Sequence, residues 1–562
     1  MKLANRAVLS VLLFFAVALY VRGASQTASD QPQDVMHSGQ VLRTNTRLVV
    51  VDVVATDSKG RLIEDLKPGD LNMLEDGKGQ KISNFTFHPP GQTLVNVSSR
   101  LPVNVVTNAP AFQASSLNVM LLDTLNGGFA EQAYVKDQLL KFLSRAQLTR
   151  PIALFAMEDH LVLLHDFTTD AAALKGVVEK FRPPARNNNA ESVESRASAF
   201  TTHGVFHNND RDIGTTLNQL NALAKTLAGY PGRKNLIWLS ESFPVNLFPE
   251  NMANGFSGVC SGDACAGGLG GSAGHPFASG GGQMGSPTTM SSALEGNGEG
   301  SYKDYALLIK KVSDALMNAQ VAVYAVDAGA VGKDERIASH VTMNDMADRT
   351  GGRAFINTND LVASMSSSVD DGSTYYTLEY YPENKKWDGQ FRSIQVRSSR
   401  PGVNLRYRAG YYALDPEKIN KEDSDAVAES FSRALQVDAP AATQLVFQAQ
   451  VEPPSEKSKK VVITFHIDPR TLAFEHKDGG MESARLSCTV WAYGKDKDKP
   501  IMSSGTVNAN LKANEYQQMM QQRFLPCDRQ LELKPGTYAL RMGVLDRATN
   551  KIGTASAQVV VP

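Results

Sequence analysis

The chain has no surplus of charge of either sign. Its 57 lysines and arginines against 58 aspartates and glutamates leave a formal charge of −1, and no basic stripe runs along it, so nucleic acid is not an expected partner. Long hydrophobic runs are missing as well. The uncharged apolar stretch Ala7–Val21, behind Lys2 and Arg6, has signal-peptide length and falls short of a membrane span. A cut after Gly23, giving a signal peptide of residues 1–23, removes three positive charges and takes the formal charge from −1 to −4. Arg22 lies close to that cut, and an uncleaved anchor is the alternative. No later segment is expected to cross a membrane, so the mature chain is read as exported, to the periplasm or to the cell surface.

Cysteine is sparse. Cys260, Cys265, Cys488 and Cys527 are the four in 562 residues, and neither pair has the two-residue spacing or the histidine offset of a zinc site. In an oxidising compartment they read as disulfides, and the simplest of three pairings is local, Cys260 with Cys265 and Cys488 with Cys527. Catalytic signatures are missing too. No Gly-x-Ser-x-Gly elbow is present, and GGLGGSAGH and SGGGQMG sit in low-complexity sequence instead of between a strand and a helix. His160 and His165, five apart on an expected hairpin, face opposite sides of a strand. His203, His207, Asp210 and Asp212 fall in a polar insertion, where a chance His-x-x-x-His is the simpler reading.

What is present is length and alternation. A chain of 562 residues exceeds a single hydrophobic core. Short β-branched runs separated by DSKG, KPGD and EDGKGQ make residues 44–90 an N-terminal β-rich module, and residues 89–115 look like a linker. From Leu117 the rhythm is strand and helix in turn: LNVMLLD, FAEQAYVKDQLLKFLSRA, then PIALFAMED and LVLLHDF as a hairpin or antiparallel edge. DAAALKGVVEKF, with Asp170 as N-cap, TTLNQLNALAKTLAG, NLIWLSESF, YKDYALLIKKVSDALMNA and QVAVYAVDAG continue it. This predicts an α/β domain over residues 115–414, with a doubly wound, mostly parallel sheet. Residues 251–300 hold 15 glycines and form an inserted loop, too poor in apolar groups to bury a core. Residues 415–440 suggest a linking helix, and residues 440–562 a C-terminal β-sandwich.

The order LNVMLLDT, helix, hairpin, TTLNQLNALAKTLAGYPGRKNLIWLSESFP, QVAVYAVDAG, MADRTGGRAF resembles a von Willebrand factor A-type (VWA) domain, and more narrowly the acidobacterial branch of VWA-related proteins. VVVDVVATDSKGRLIEDLKPGDLNMLEDGKGQKISNF and YYTLEYYPENKKWDGQFRSIQVRSSRPGVNLRYRAGYYA are similar to that branch too, so the resemblance covers Arg43 to about Leu414. It implies a metal-ion-dependent adhesion site at the carboxyl edge of the sheet. There an Asp-x-Ser-x-Ser motif, a threonine and a later aspartate hold Mg²⁺ or Mn²⁺ through hard oxygens.

Asp123 matches the first aspartate of that motif. The serine positions fall on Leu125 and Gly127, which have no side-chain oxygen, while Thr124 and Asn126 are polar but one residue out of register. Thr215 or Thr216 fills the threonine position, and Glu241 stands in place of the last aspartate. The site is therefore expected to be degenerate. The reading that follows is an exported, non-enzymatic protein-interaction molecule of adhesion type with an unidentified protein partner. A structural envelope component working through its β modules, and a metal-assisted hydrolase, are the alternatives.

Overall fold

A computed structural model describes residues 48–89, 101–110, 116–126, 129–146, 148–183, 205–240, 299–329, 337–415, 424–454, 460–477, 480–495 and 499–562. The first strands are β1 (Val49–Thr56), β2 (Leu71–Glu75), β3 (Lys78–Gln80), β4 (Ile82–His88) and β5 (Val105–Thr107). Next come β6 (Ser116–Asp123), α1 (Phe129–Arg145), β7 (Ile152–Met157), β8 (Leu161–Thr168), α2 (Ala171–Lys180) and α3 (Val205–Leu227). They are followed by β9 (Arg233–Ser240), α4 (Glu299–Asn318), β10 (Val321–Asp327), α5 (Ile337–Thr350), β11 (Arg353–Phe355) and α6 (Leu361–Asp370). Then β12 (Tyr375–Tyr380), β13 (Phe391–Ser398), β14 (Asn404–Arg406), β15 (Gly410–Tyr412) and α7 (Ser424–Ala434) lead to the C-terminal strands. These are β16 (Phe447–Glu452), β17 (Val461–Ile467), β18 (Glu475–Lys477), β19 (Met481–Tyr493) and β20 (Ile501–Leu511), then α8 (Ala513–Gln522), β21 (Leu525–Leu531), β22 (Gly536–Asp546) and β23 (Ile552–Val561).

The architecture is mixed α/β. A six-stranded sheet runs in the order β11-β10-β9-β6-β7-β8. Its pairs are parallel except β7–β8, which is the hairpin expected from PIALFAMED and LVLLHDF. Strands β6, β7, β9 and β10 are buried along their whole length, and this explains why they read as unbroken apolar runs. Alternate residues serve opposite faces. Leu117, Val119 and Leu121 join a core with Leu217 and Leu220 of α3, Ile309 of α4 and Met343 of α5. Met120 and Leu122 pack with Leu139 and Phe142 of α1, Leu174 of α2 and Met365 of α6. Asp170 caps α2 as expected, accepting from the amides of Ala172 and Ala173.

The N-terminal strands correct the expected partition, because residues 44–90 do not form a module of their own. β1 pairs antiparallel with β12, Val51 opposite Leu378, and β2 pairs with β13, Val396 opposite Met73. Two four-stranded sheets result, β14-β1-β12-β4 and β15-β13-β2-β3. The strands on either side of the α/β segment therefore close on each other. Glu75 of β2, buried, accepts hydrogen bonds from the hydroxyls of Tyr380 (2.6 Å) and Tyr411 (3.0 Å) and ties the two sheets together. Val49, Val51 and Tyr376 share one core with Leu121 and Leu217.

The expected linker is corrected too. Val105–Thr107 forms β5 and pairs with β16, so the chain crosses to the C-terminal region before it enters the central sheet. That region has two sheets, β21-β17-β16-β5 and β18-β19-β22-β23, with β20 on the other side of β19. Inward residues of both, among them Phe447, Phe465, Val490 and Met542, form its core. The Cys488–Cys527 disulfide joins β19 of one sheet to β21 of the other, with a Cα–Cα distance of 6.7 Å. Cys260 and Cys265 lie outside the described residues. The linking helix α7 sets Phe431 and Leu435 so close over Gly543 that a Cβ there would come within 3.0 Å of both. Among the described residues no helix is long and apolar enough to cross a membrane.

Candidate functional site

Asp123 is the last residue of β6 and shares the face of Leu121, towards α3. The register sets its neighbours. Leu121 lies opposite Trp238 and Leu122 opposite Leu239, which brings Ser240 alongside Asp123. On the other side Asp123 is opposite Met157.

The carboxylate is buried and surrounded by donors. One oxygen, Oδ1, accepts from the backbone amides of Leu125 (3.0 Å) and Asn126 (2.9 Å). The other, Oδ2, accepts from Asn126 Nδ2 (2.9 Å), Trp238 Nε1 (3.0 Å) and Ser240 Oγ (2.8 Å). Burial raises the Asp123 pKa above the ordinary carboxylate value, and the bonds from Asn126, Ser240 and Trp238 oppose that rise. A carboxylate that accepts so many N–H and O–H groups is held by the protein itself.

The other expected ligands are placed as follows. Thr216 is fully buried, and its Oγ1 lies 3.3 Å from Asn126 Nδ2. Thr215 is half-buried one position along α3, and a 3.6-residue period turns it away from the line of Thr216. Asn126 is thus brought together with Asp123 and Thr216, acting as a donor. Thr124 turns aside, with its hydroxyl donating to the carbonyl of Met157 (2.8 Å). Leu125, at the first serine position, is buried in the core with Leu121 and Leu217. Gly127 and Glu241 lie outside the described residues.

Among the described residues, the donor set does not fit a divalent ion of the magnesium type, which takes hard oxygens, about six of them. Asn126 Nδ2 stands 2.9 Å from Asp123 and 3.3 Å from Thr216. An amide nitrogen therefore occupies the point where those two oxygens would share an ion. Among the described residues no group of three or more His, Cys, Asp or Glu side chains is arranged to hold a metal.

Three participants were not picked out from the sequence. Trp238 and Ser240 alternate on β9 and face Asp123; the two-residue spacing in NLIWLSES was the available signal. The third is Asp327, the last residue of β10, paired with Ser240. It accepts from the Gly329 amide (2.9 Å) and is hydrogen-bonded to His340 Nε2 of α5 (2.8 Å). Asp123, Ser240 and Asp327 thus end three adjacent strands in a row.

Among the described residues, His160 and His165 have partners away from this edge. His160 Nδ1 contacts Asp159 and His165 Nδ1 contacts the Asp166 carbonyl. His207, Asp210 and Asp212 fall in the first turns of α3, and His203 is outside the described residues.

The chain matches no protein-family profile and no curated protein. Among solved structures it is similar to three N-terminal domains of the type V pili tip protein Mfa5 from Porphyromonas gingivalis. That match has 15% identity, covers 35% of this chain and 26% of that chain, and has a TM-score of 0.16. A variant of the PilB minor pilin from Streptococcus sanguinis matches at 11% identity over 46% of this chain and 62% of that chain, with a TM-score of 0.24. A von Willebrand factor type A protein from Catenulispora acidiphila matches at 9% identity over 86% and 74%, with a TM-score of 0.19. The chain spans about a quarter of the length of the Mfa5 structure it matches.

Proposed function

We propose that this chain is an exported, non-enzymatic interaction protein with a VWA-like, doubly wound domain, whose adhesion-site edge is locked by hydrogen bonds instead of a metal. The observation that carries this is the Asp123 carboxylate, which accepts from Leu125, Asn126, Trp238 and Ser240 at 2.8–3.0 Å. Support for the domain reading comes from the strand order with Asp123 at a carboxyl edge and from helices packed on both faces. Support for export comes from the N-terminal apolar segment and from a disulfide between two sheets.

The test is a calorimetric titration of Mg²⁺ and of Mn²⁺ into chelator-stripped protein, with Asp123→Ala as control. The expected result is no saturable heat at millimolar metal in either protein. Saturable binding to the parent that disappears in Asp123→Ala overturns the locked-edge reading.

A further inference from the structure

The C-terminal sheet ends in two strands that lack the usual guards. Among the described residues β20 is hydrogen-bonded along one side, to β19, with Ala492 opposite Ile501 and Glu482 opposite Leu511. β23 pairs with β22 on one side. On its other side, among the described residues, it is hydrogen-bonded to the chain at Ala442–Leu445, through the bridge of Gly553 to Thr443 and the bonds flanking it. From Ala555 to Val561 that side has no strand against it among the described residues.

Neither edge carries a charge. β20 reads IMSSGTVNANL and β23 reads IGTASAQVVV, with no Lys, Arg, Asp or Glu and no proline in either. Met502 and Val560 on these strands are both more than 60% exposed. Most other edges of this protein are protected: β3, β5, β11, β14 and β15 are three residues long, β8 carries Asp166, and β21 carries Asp528 and Arg529. The exception is β4, ISNFTFH, an uncharged edge of seven residues, shorter than β20 and β23. Long uncharged edges template pairing with another chain, and natural sheets blunt them with lysine, proline or shortness.

We infer that β20 of one copy pairs with β23 of a second copy, so that the sheet continues from molecule to molecule. Strand direction argues for this occupant. β20 is antiparallel to β19, β19 to β22, and β22 to β23. A second copy set beside the first in the same orientation therefore presents β20 antiparallel to β23, and the alternation runs on without a break. The two edges are different surfaces, so the contact is heterologous and adds copies in a row. Neutral edges also remove the like-charge repulsion that would oppose this approach.

The experiment is sedimentation velocity over a concentration series on the full chain and two edge variants, Ser504→Lys/Thr506→Lys on β20 and Gln558→Lys/Val560→Lys on β23. Ser504, Thr506, Gln558 and Val560 are all exposed, and circular dichroism checks that the fold is kept. The parent is expected to add copies beyond the dimer as concentration rises, and each variant alone to stay monomeric. Mixed, the two variants should form a one-to-one dimer and stop there, because each retains one working edge. A parent that stays monomeric at millimolar concentration overturns the proposal. So does self-association abolished by one variant and untouched by the other, since that is a two-fold contact of an edge with itself.

Discussion

If hydrogen bonds and not an ion organise the edge around Asp123, replacing that residue should destabilise the metal-free protein. In Asp123→Ala, five donor contacts at 2.8–3.0 Å lose their acceptor. Asn126 is half-buried, and its amide and side chain can turn to water. Trp238 and Ser240 are fully buried and cannot. Loss of a buried donor's acceptor costs up to about 1–3 kcal/mol, so these two together give at most roughly 2–6 kcal/mol. Relief of the buried carboxylate's desolvation, which raises its pKa, pulls the net towards the lower half of that range. The assay is urea unfolding in chelator, followed by tryptophan fluorescence, because Trp238 sits against the altered group. An open cation site predicts the opposite sign: with no metal, loss of a buried carboxylate relieves a desolvation cost and stabilises the fold. A change below about 1 kcal/mol, or a stabilisation, refutes the hydrogen-bonded lock. So does a rise in the parent's unfolding midpoint on adding millimolar Mg²⁺, through mass action on a native-state site.

Three other outcomes are expected. Leu125→Ser, which restores a serine at the motif position, should cost about 2–5 kcal/mol, because Leu125 is a core residue. It should gain no Mg²⁺ affinity, since Asp123 keeps its donors; urea unfolding and calorimetry read the two effects. Lys234 is fully buried, its Nζ donating to the carbonyls of Tyr230 and Gly232, and burial lowers its pKa from 10.5 to about 7. Between those values the unfolded chain binds a proton that the folded chain does not, so stability should rise by about 2 kcal/mol from pH 7 to pH 9. Lys234→Met should flatten that slope in urea titrations at the two pH values. Reduction of Cys488–Cys527, which closes a loop of sequence separation 39, should cost the C-terminal sandwich about 4 kcal/mol. A drop in melting temperature with reductant, absent in a Cys488→Ala/Cys527→Ala variant, would show it.

The sequence made the central sheet readable because β6, β7, β9 and β10 are buried over their whole length, and a buried strand advertises itself locally as an apolar run. The caps were readable for the same local reason; Asp170 bonds amides two and three residues away. Pairing partners were not. Val51 lies opposite Leu378 and Val106 opposite Ala449, separations of more than 300 residues. No periodicity in either strand names the other, and so residues 44–90 passed for a module and residues 89–115 for a linker. The same blindness hid the donors to Asp123. Trp238 and Ser240 reach it only through the parallel register of β6 and β9, which sets Leu121 opposite Trp238. The motif comparison marked Leu125 as a loss of oxygen. It could not show that Asn126, one residue later, brings an amide to the same point.

That substitution makes the edge a different kind of object. A site held by an ion is assembled only when the ion is present, and its oxygens repel one another when it is not. Here residues 124–126 are held by groups of the chain itself: Thr124 to Met157, Asn126 to Asp123 and Thr216, with Ser240 and Trp238 reaching Asp123 from β9. The surface they present should therefore keep one shape whatever the divalent metal outside. A partner that reads this edge would do so by contact with the loops, so its affinity should be insensitive to chelation but sensitive to changes that loosen the lock. Ser240→Ala removes one donor to Asp123 and adds no charge. If it weakens partner binding while chelator does not, the carboxylate acts as an internal anchor. If chelator alone abolishes binding, the anchor reading fails and an ion must bridge the partner.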